Sequence, residues 1–270
     1  MERTSFDTVI LSDLHLGSDT SRAREALRLL RSLSFGRLVL LGDIFCDLNF
    51  GRLKKHHWEF LSYIRKLSNP KRAIEVVWVE GNHDQGLTEV MSHLVGIKVH
   101  REYSWYQNGR KYLAVHGHQF DRMVLSDSLF LSAMAGPVYL LIQRLDTRKK
   151  RFARYLDRLN TRWLRLTEKV ADGALRLAEH RQADVVICGH THQATTRERN
   201  GIRYYNTGAW TVTVPTYITI RDNEVDIHAC VEGIDDCYSS EERSEASTET
   251  AGFTAAPGLL GDEEYEGVPG

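Results

Sequence analysis

Five short apolar runs of the sequence each lie just before a polar residue of a type that binds metal ions. The runs cover residues 8–12, 38–41, 76–79, 112–115 and 185–188. Their length and β-branched content are typical of buried strands. Helical patterns at residues 26–33 and 57–67 separate the first three runs. The amino-terminal part therefore has the alternating strands and helices of an α/β fold.

The carboxy-terminal part has a different pattern. Turn-forming pairs that favour β-hairpins stand at 108–109, 200–201 and 222–223. A short helix is predicted near residues 90–94, and residues 122–181 have helical patterns throughout. The change from helices to hairpins predicts an α/β protein with two facing mixed β-sheets flanked by helices, interrupted by a helical insert at about 122–181.

The polar residues at the strand ends are candidates for a metal site. Asp13 and His15 are two residues apart, as are His190 and His192, and on an extended backbone this spacing places both side chains on one face. The carboxyl ends of the strands of an open α/β sheet gather such residues at one edge. Oxygen and imidazole ligands without thiolate suit manganese, iron, zinc or magnesium. The full set is Asp13, His15, Asp43, Asn82, His83, Asp84, His116, His118, His190 and His192.

In this order, these blocks resemble those of the calcineurin-like metallophosphoesterase superfamily. The blocks are Asp-x-His at 13–15, Gly-Asp at 42–43, Gly-Asn-His-Asp at 81–84, His116 and Gly-His-x-His at 189–192. A single Asp-x-His motif is common in polar loops, but five blocks in this order are specific for the superfamily. The resemblance extends over about residues 6–232 and implies a four-layer αββα fold.

Within the superfamily, the chain looks most like the UDP-2,3-diacylglucosamine diphosphatase group. The resemblance rests on Ser-Asp-Leu-His-Leu-Gly at 12–17, Gly-Asp-Ile-Phe at 42–45, the insert after His116 and Tyr-Asn-Thr-Gly-Ala-Trp at 205–210. The chain departs from the group at His83, where its best identified enzyme has arginine, and at Asp121, which follows the His-Gly pair. Both departures bear on which substrate the protein binds.

The resemblance implies two divalent ions, with manganese expected and iron, zinc or magnesium as alternatives. Asp43 would bridge the two ions. The remaining ligands would be Asp13, His15 and His192 for one ion, and Asn82, His116 and His190 for the other.

Three further residues of these blocks are expected near the substrate. His83 is predicted to be the general acid or a phosphate contact, and Asp84 to orient His83 or a ligand. His118 is predicted either to face the substrate or to be a buried, hydrogen-bonded histidine.

Charge is distributed unevenly along the 270 residues. The segment 235–270 has ten acidic residues and one arginine, so it carries −9 and residues 1–234 carry +8. We expect one metallophosphoesterase domain at 1–234 and an acidic disordered tail at 235–270. The insert combines an apolar run at 129–142, too short to span a bilayer, with an arginine stripe. Of this stripe, Arg151, Arg154 and Arg158 are candidate substrate contacts.

These features predict a pyrophosphohydrolase acting on a lipid-linked or nucleotide-linked diphosphate, with an anionic membrane surface as a further partner. We expect a cytoplasmic protein, peripheral at the inner membrane face, because no apolar signal segment precedes the first strand. Recognisable nucleic-acid-binding modules are lacking. The alternatives are a metallophosphoesterase acting on phosphomonoesters, cyclic nucleotides or nucleic-acid ends, and a non-catalytic scaffold that keeps the fold.

Overall fold

The computed structural model describes residues 4–86, 96–121 and 149–230, with the backbone alone at 149–163. The strands are β1 (Ser5–Leu11), β2 (Ser34–Leu41), β3 (Glu75–Val79), β4 (Val99–His100), β5 (Tyr103–Gln107), β6 (Arg110–Ala114), β7 (Val185–Cys188), β8 (Thr195–Arg199), β9 (Ile202–Asn206), β10 (Thr216–Arg221) and β11 (Glu224–Ala229). The α-helices are α1 (Ala23–Ser32), α2 (Lys55–Leu67) and α3 (Lys149–Arg181), and 3₁₀ turns cover Phe50–Arg52, Pro70–Arg72 and His118–Phe120.

The strands form two sheets, and both are mixed. The first has the order β11-β10-β1-β2-β3-β4, with β1 to β4 parallel and β10 antiparallel to both β1 and β11. The second has the order β5-β6-β7-β9-β8, with β6, β7 and β9 parallel and the two edge strands antiparallel. The parallel strands of each sheet bring their carboxyl ends to the same edge of the molecule.

Both faces of each sheet carry apolar side chains, and both faces are buried against a neighbouring layer. Between the sheets, side chains such as Ile10 and Val39 pack with Tyr112 and Ile187. Helices α1 and α2 cover the outer face of the six-stranded sheet. Helix α3 covers the outer face of the five-stranded sheet, for example through Ala174. These four layers confirm the predicted facing mixed sheets with flanking helices.

The three predicted hairpins are also present. Asn108, Asn200 and Asn223 have positive φ angles, as the tight turns of β5–β6, β8–β9 and β10–β11 require. Two of these turns meet at the end of the molecule opposite the predicted site, where Asn223 donates to the carbonyl of Asn108. The turns therefore tie one sheet to the other.

Helix α3 changes the interpretation of the predicted insert. Val170, Ala171, Ala174 and Ala178 are fully buried, so the second half of this helix is a layer of the fold and not a lid. The predicted short helix at 90–94, residues 122–148 and the tail at 235–270 lie outside the described residues. The insert's boundaries and the tail stay predictions.

Two strand features escaped the sequence pattern. Strand β2 starts at Ser34, four residues before the predicted run, because parallel pairing with β1 continues from Ser5. The two-residue strand β4 forms only by pairing with Trp78 and Val79 of β3. No helix in the described part of the chain is long and apolar enough to cross a membrane.

Candidate metal centre

The predicted ligands gather at the carboxyl ends of β1, β2, β3, β6 and β7. Asp13 and His15 follow β1, Asp43 follows β2, and Asn82 follows β3. His116 follows β6, and the last two ligands, His190 and His192, follow β7. One edge of the sandwich thus carries all seven side chains.

The sequence predicted an extended backbone at these strand ends, but the backbone there is not extended. Positive φ angles occur at five ligands, which are Asp13 (52°), His15 (45°), Asp43 (50°), His190 (70°) and His192 (55°). The prediction of an extended backbone is therefore wrong. The chain turns as it leaves each strand, and the amides of Asp13 and His15 bind the carbonyls of Gly42 and Asp43 at 3.0 Å. Strained backbone of this kind, at about 1–3 kcal/mol per residue, clusters at functional sites.

Two motif glycines permit the close approach of these loops. A Cβ on Gly81 would lie 2.1 Å from Oδ1 of Asp43, and a Cβ on Gly189 would lie 2.6 Å from Oδ2 of Asp13. A side chain at either position would displace a carboxylate of the site. Glycine is thus required here by space.

The first group of ligands is Asp13, His15 and His192. Oδ1 of Asp13 lies 3.1 Å from Nε2 of His192 and 3.9 Å from Nε2 of His15. The two imidazole nitrogens are 3.3 Å apart. Three ligand atoms in such proximity can hold one ion.

The second group is Asp43, His116 and His190, whose ligand atoms lie within 4.8 Å of one another. Oδ2 of Asp43 is 3.3 Å from Nε2 of His116 and 4.0 Å from Nε2 of His15. Asp43 therefore lies between the two groups, in the position that a bridging carboxylate needs.

The carboxylates of Asp13 and Asp43 each have one oxygen hydrogen-bonded to the surrounding protein and the other directed at the site. Oδ2 of Asp13 accepts hydrogen bonds from the hydroxyl of Ser12 at 2.5 Å and the amide of His190 at 3.1 Å. Oδ1 of Asp43 accepts from the amide of His83 at 2.9 Å. These bonds fix both carboxylates before any ion binds.

Several buried atoms at the centre have no hydrogen-bond partner among the described residues. They are Oδ1 of Asp13, Oδ1 of Asn82, Nε2 of His116 and Nε2 of His190. Buried polar atoms are normally paired, because an unpaired one costs about 1–3 kcal/mol. Carboxylate, amide oxygen and imidazole are ligands of divalent ions, so these residues fit a metal centre.

The electrostatics of the cluster agree with this fit. Burial lowers the pKa of His15 to about 4, so this imidazole is neutral at pH 7 and has a lone pair to offer. Burial acts in the same direction on His116, but the carboxylates of Asp43 and Asp13 outweigh it and raise its pKa to about 10. The carboxylates therefore attract positive charge, and a divalent ion would compete with the His116 proton.

His83 lies at the mouth of the site. Its Nδ1 is 2.6 Å from the carbonyl of Cys46, and its Nε2 is 3.9 Å from Oδ2 of Asp43. The Cys46 carbonyl holds the ring with Nε2 towards the site, which suits a general acid or a phosphate contact. His15, Asp43 and His83 also form a group that can hold an ion, so the geometry adds a third role, that of ligand.

Asp84 has a defined structural role. Its two carboxylate oxygens accept from the amides of Ile44 at 3.0 Å and Phe45 at 2.9 Å. It thereby holds the loop that follows Asp43. Burial and the charge of Asp43 raise the pKa of Asp84 to about 7.

Of the predicted substrate contacts, His118 is near the second group. Its ring is 5.5 Å from that of His116, and Nε2 approaches Nε2 of Gln85 at 3.1 Å. Burial, with the charges of His116 and His190, lowers the pKa of His118 to about 4. The side chains of Arg151, Arg154 and Arg158 lie outside the described residues.

Sequence reasoning assigned no role to four residues that support the site. Thr207 is within hydrogen-bond distance of the Ser12 hydroxyl, and Asn206 donates to the carbonyl of Gly189 at 2.7 Å. Asp121 lies beside His190. The motifs at 12–17 and 205–210 and the departure at Asp121 contain these residues and could have indicated them.

This set of carboxylate and imidazole side chains, at the carboxyl edge of a two-sheet αββα sandwich, is of the kind found in metal-dependent hydrolases. Residues 7–221 match the family model of the calcineurin-like phosphoesterase superfamily domain. The chain therefore belongs to this superfamily, which confirms the resemblance at that level.

Solved structures similar to this chain include Vps29 of Entamoeba histolytica complexed with Zn²⁺, at 18% identity over 86% of this chain and 96% of that chain, with a TM-score of 0.45. The phosphoesterase YfcE from E. coli has 17% identity over 84% and 95% of the two chains, with a TM-score of 0.47. An archaeal phosphodiesterase has 16% identity over 82% and 98%, with a TM-score of 0.44. No curated protein sequence matches the chain.

Proposed function

We propose that the protein is a dinuclear metal-dependent pyrophosphohydrolase. Its substrate is a lipid-linked or nucleotide-linked diphosphate of the UDP-2,3-diacylglucosamine type, which it cleaves at the cytoplasmic membrane face. The two ions are manganese, with iron, zinc or magnesium as alternatives. Water adds across the P–O–P bond and yields two phosphomonoesters.

The position of Asp43 between two ligand groups carries this proposal. Its Oδ2 is within 4.0 Å of Nε2 of His15, on one side, and of His116, on the other. One hydrogen-bond donor would be enough to pair a buried carboxylate, so a structural role does not explain why imidazoles from several strand ends surround Asp43. This arrangement fits a shared ligand.

The residues that would hold the ions divide as the superfamily pattern suggests. Asp13, His15 and His192 would hold one, Asn82, His116 and His190 the other, with Asp43 shared. A bound pair of ions supplies positive charge for the phosphoryl oxygens and a nucleophile from water at neutral pH.

His83 would act on the leaving group. The Cys46 carbonyl orients the ring, and the side chain is 16% exposed, so Nε2 can reach a substrate at the mouth of the site. A protonated His83 would donate its proton to the departing phosphate oxygen.

The substrate class rests on the sequence of the insert. The apolar run at 129–142 followed by the arginine stripe suits an acylated diphosphate, because it offers apolar contacts beside phosphate-binding groups. The motif at 205–210 supports the same group. A small phosphoester needs neither feature.

A substrate screen tests the proposal. Purified protein with Mn²⁺ would be assayed against UDP-2,3-diacylglucosamine in mixed micelles, nucleoside diphosphates and a chromogenic phosphodiester. We expect the highest kcat/KM on the lipid diphosphate. Preference for phosphomonoesters, cyclic nucleotides or nucleic-acid ends would establish the alternative enzyme, and metal binding without hydrolysis would indicate a scaffold.

A further inference from the structure

Asn206, the last residue of β9, has a fully buried side chain, and both ends of its amide group are hydrogen-bonded. Nδ2 donates to the carbonyl of Gly189 at 2.7 Å and to the hydroxyl of Tyr204 at 3.1 Å. Oδ1 accepts from the amide of Gly208 at 3.1 Å. A carbonyl can only accept and an amide N–H can only donate, so these partners fix the orientation of the side chain. Asn206 therefore joins the loop after β7 to the loop after β9.

The first of these loops carries two predicted ligands in an uncommon backbone conformation. His190 and His192 have φ angles of 70° and 55°. Such conformations persist where surrounding contacts hold them. The carbonyl of Gly189 accepts from the amide of Thr191 at 2.8 Å as well as from Asn206. The Asn206 side chain thus supports this turn at its first peptide group.

The second loop, residues 207–215, reaches Asp13 at the end of a strand of the other sheet. The amide of Trp210 donates to the carbonyl of Asp13 at 3.1 Å. The Thr207 hydroxyl is within hydrogen-bond distance of the Ser12 hydroxyl, which in turn donates to Oδ2 of Asp13. The two loops that Asn206 joins therefore hold ligands of the first group from both sheets.

We propose that Asn206 is a positioning residue that keeps Asp13 and His192 at the separation at which both can bind one metal ion. Oδ1 of Asp13 and Nε2 of His192 lie 3.1 Å apart. Because Asn206 is fully buried, it acts through the two loops and not by touching a substrate. Without the bond from Nδ2, the turn of His192 could move relative to Asp13, and the affinity for the ion would fall. This inference rests on the proposed function for the presence of a divalent ion and is independent of the substrate.

Hydrogen exchange of the metal-free, full-length protein measures the effect on the turn. The amide of Gly189 donates to the carbonyl of His116 at 3.0 Å, and the amide of His190 donates to Asp13 at 3.1 Å. In Asn206→Ala both amides should exchange about fivefold faster, as expected for the loss of one hydrogen bond. Wild-type exchange rates at both amides would overturn the inference.

Metal binding provides the second measurement. In Zn²⁺ titrations against a chelator, Asn206→Ala should weaken one binding step by about 10-fold, at the lower end of the losses found for residues that support a metal ligand. The visible absorption of bound Co²⁺, which depends on coordination geometry, should change in the same variant. Asn206→Ser also lacks Nδ2 and serves if the alanine variant does not fold. Unchanged Zn²⁺ affinity in a folded variant would refute the role.

Kinetics separate a role in metal binding from a role in substrate binding. Asn206→Ala should need about 10-fold more Mn²⁺ for half-maximal hydrolysis of a chromogenic phosphodiester, while KM at saturating Mn²⁺ should equal the wild-type value. A raised KM with unchanged metal affinity would make Asn206 a substrate-binding residue and would overturn the inference.

Tyr204→Phe is the matched control. It removes the buried hydroxyl that also contacts Asn206 but leaves the bonds to Gly189 and Gly208. This variant should lose stability yet keep wild-type exchange in the turn and wild-type Zn²⁺ affinity. Equal effects in Tyr204→Phe and Asn206→Ala would show general destabilisation and contradict the inference. If the wild type bound neither Zn²⁺ nor Co²⁺, both the inference and the proposed function would fail, whereas metal binding without hydrolysis would remove the proposed function alone.

Discussion

Nε2 of His116 lies 3.3 Å from Oδ2 of Asp43, and both side chains are buried. The hydrogen bond from Nδ1 to Leu41 leaves the Nε2 lone pair directed at a carboxylate. Two electron-rich atoms stay in this arrangement only if a proton or a metal ion lies between them. Against the effect of burial, the carboxylates of Asp43 and Asp13 raise the pKa of His116 to about 10, so the site favours a positive charge at this position.

We predict that Asp43→Ala reduces metal content from two ions to at most one per chain and lowers kcat/KM by orders of magnitude, because the proposed shared carboxylate would hold both ions. Elemental analysis after saturation with Mn²⁺, together with phosphodiester hydrolysis, checks this. Asp47→Asn is the control, since the Asp47 side chain is 39% exposed and pairs with Arg52. If the wild-type protein bound no more than one ion per chain, the dinuclear proposal would be wrong.

His83→Ala should leave the metal content unchanged and lower kcat by about 10²–10⁴-fold, as expected for the loss of a general acid. The loss should be smaller on substrates with good leaving groups, which need no proton. Equal losses across a series of leaving groups would indicate a phosphate contact. A loss of bound metal would instead make His83 a ligand, since it is as near to Asp43 as His15 is.

The gathering of the candidate ligands at one edge could be predicted because each follows an apolar strand closely, and local sequence encodes strand ends. The extended backbone at Asp13 and His190 was wrong because hydrogen bonds to neighbouring loops impose the turn. The contact of Ser12 with Thr207 joins residues 195 apart. Such contacts depend on how the two sheets pack, and a local sequence pattern does not indicate this packing.

Ser12→Ala should weaken metal binding at the first group by about 10–100-fold. The mutation removes the 2.5 Å hydrogen bond that holds Asp13, so Oδ1 would no longer be fixed towards the histidines. Zn²⁺ titration measures the effect. Thr219→Val, which removes a buried hydroxyl bonded to His228 at 2.7 Å, should cost stability without changing metal affinity; equal affinity losses in the two variants would contradict a local effect.

Acid should destabilise the fold partly through His57, a buried residue of α2 that accepts from the amide of Lys54 at 3.1 Å. Burial, with the charges of His56 and Lys54, lowers its pKa to about 4, against about 6.5 in the unfolded chain. The neutral form is therefore native, and its stabilisation is complete above pH 6.5 and lost as the pH falls towards 4.

Urea unfolding at pH 7.5 and 5.0 tests this assignment. The decrease in unfolding free energy between the two values should be smaller in His57→Gln than in the wild type, by on the order of 1–2 kcal/mol. His180→Gln changes an exposed histidine at the end of α3 and should keep the wild-type decrease. An unchanged decrease in His57→Gln would show that other groups cause the acid sensitivity.

The last prediction concerns Arg151, Arg154 and Arg158, which recur every three or four residues in the first half of α3. This spacing places them on one side of a helix. Charge reversal of all three to glutamate should reduce binding to anionic liposomes by about 10²-fold, since each basic residue near such a surface contributes about 1 kcal/mol. Hydrolysis of the lipid diphosphate should fall in parallel, whereas a small chromogenic ester, which reaches the ions without the membrane, should be cleaved at the wild-type rate. Arg176→Glu, exposed on the half of α3 that packs on the sheet, is the control. Uniform loss on both substrates, or loss on neither, would remove the arginine stripe from the mechanism.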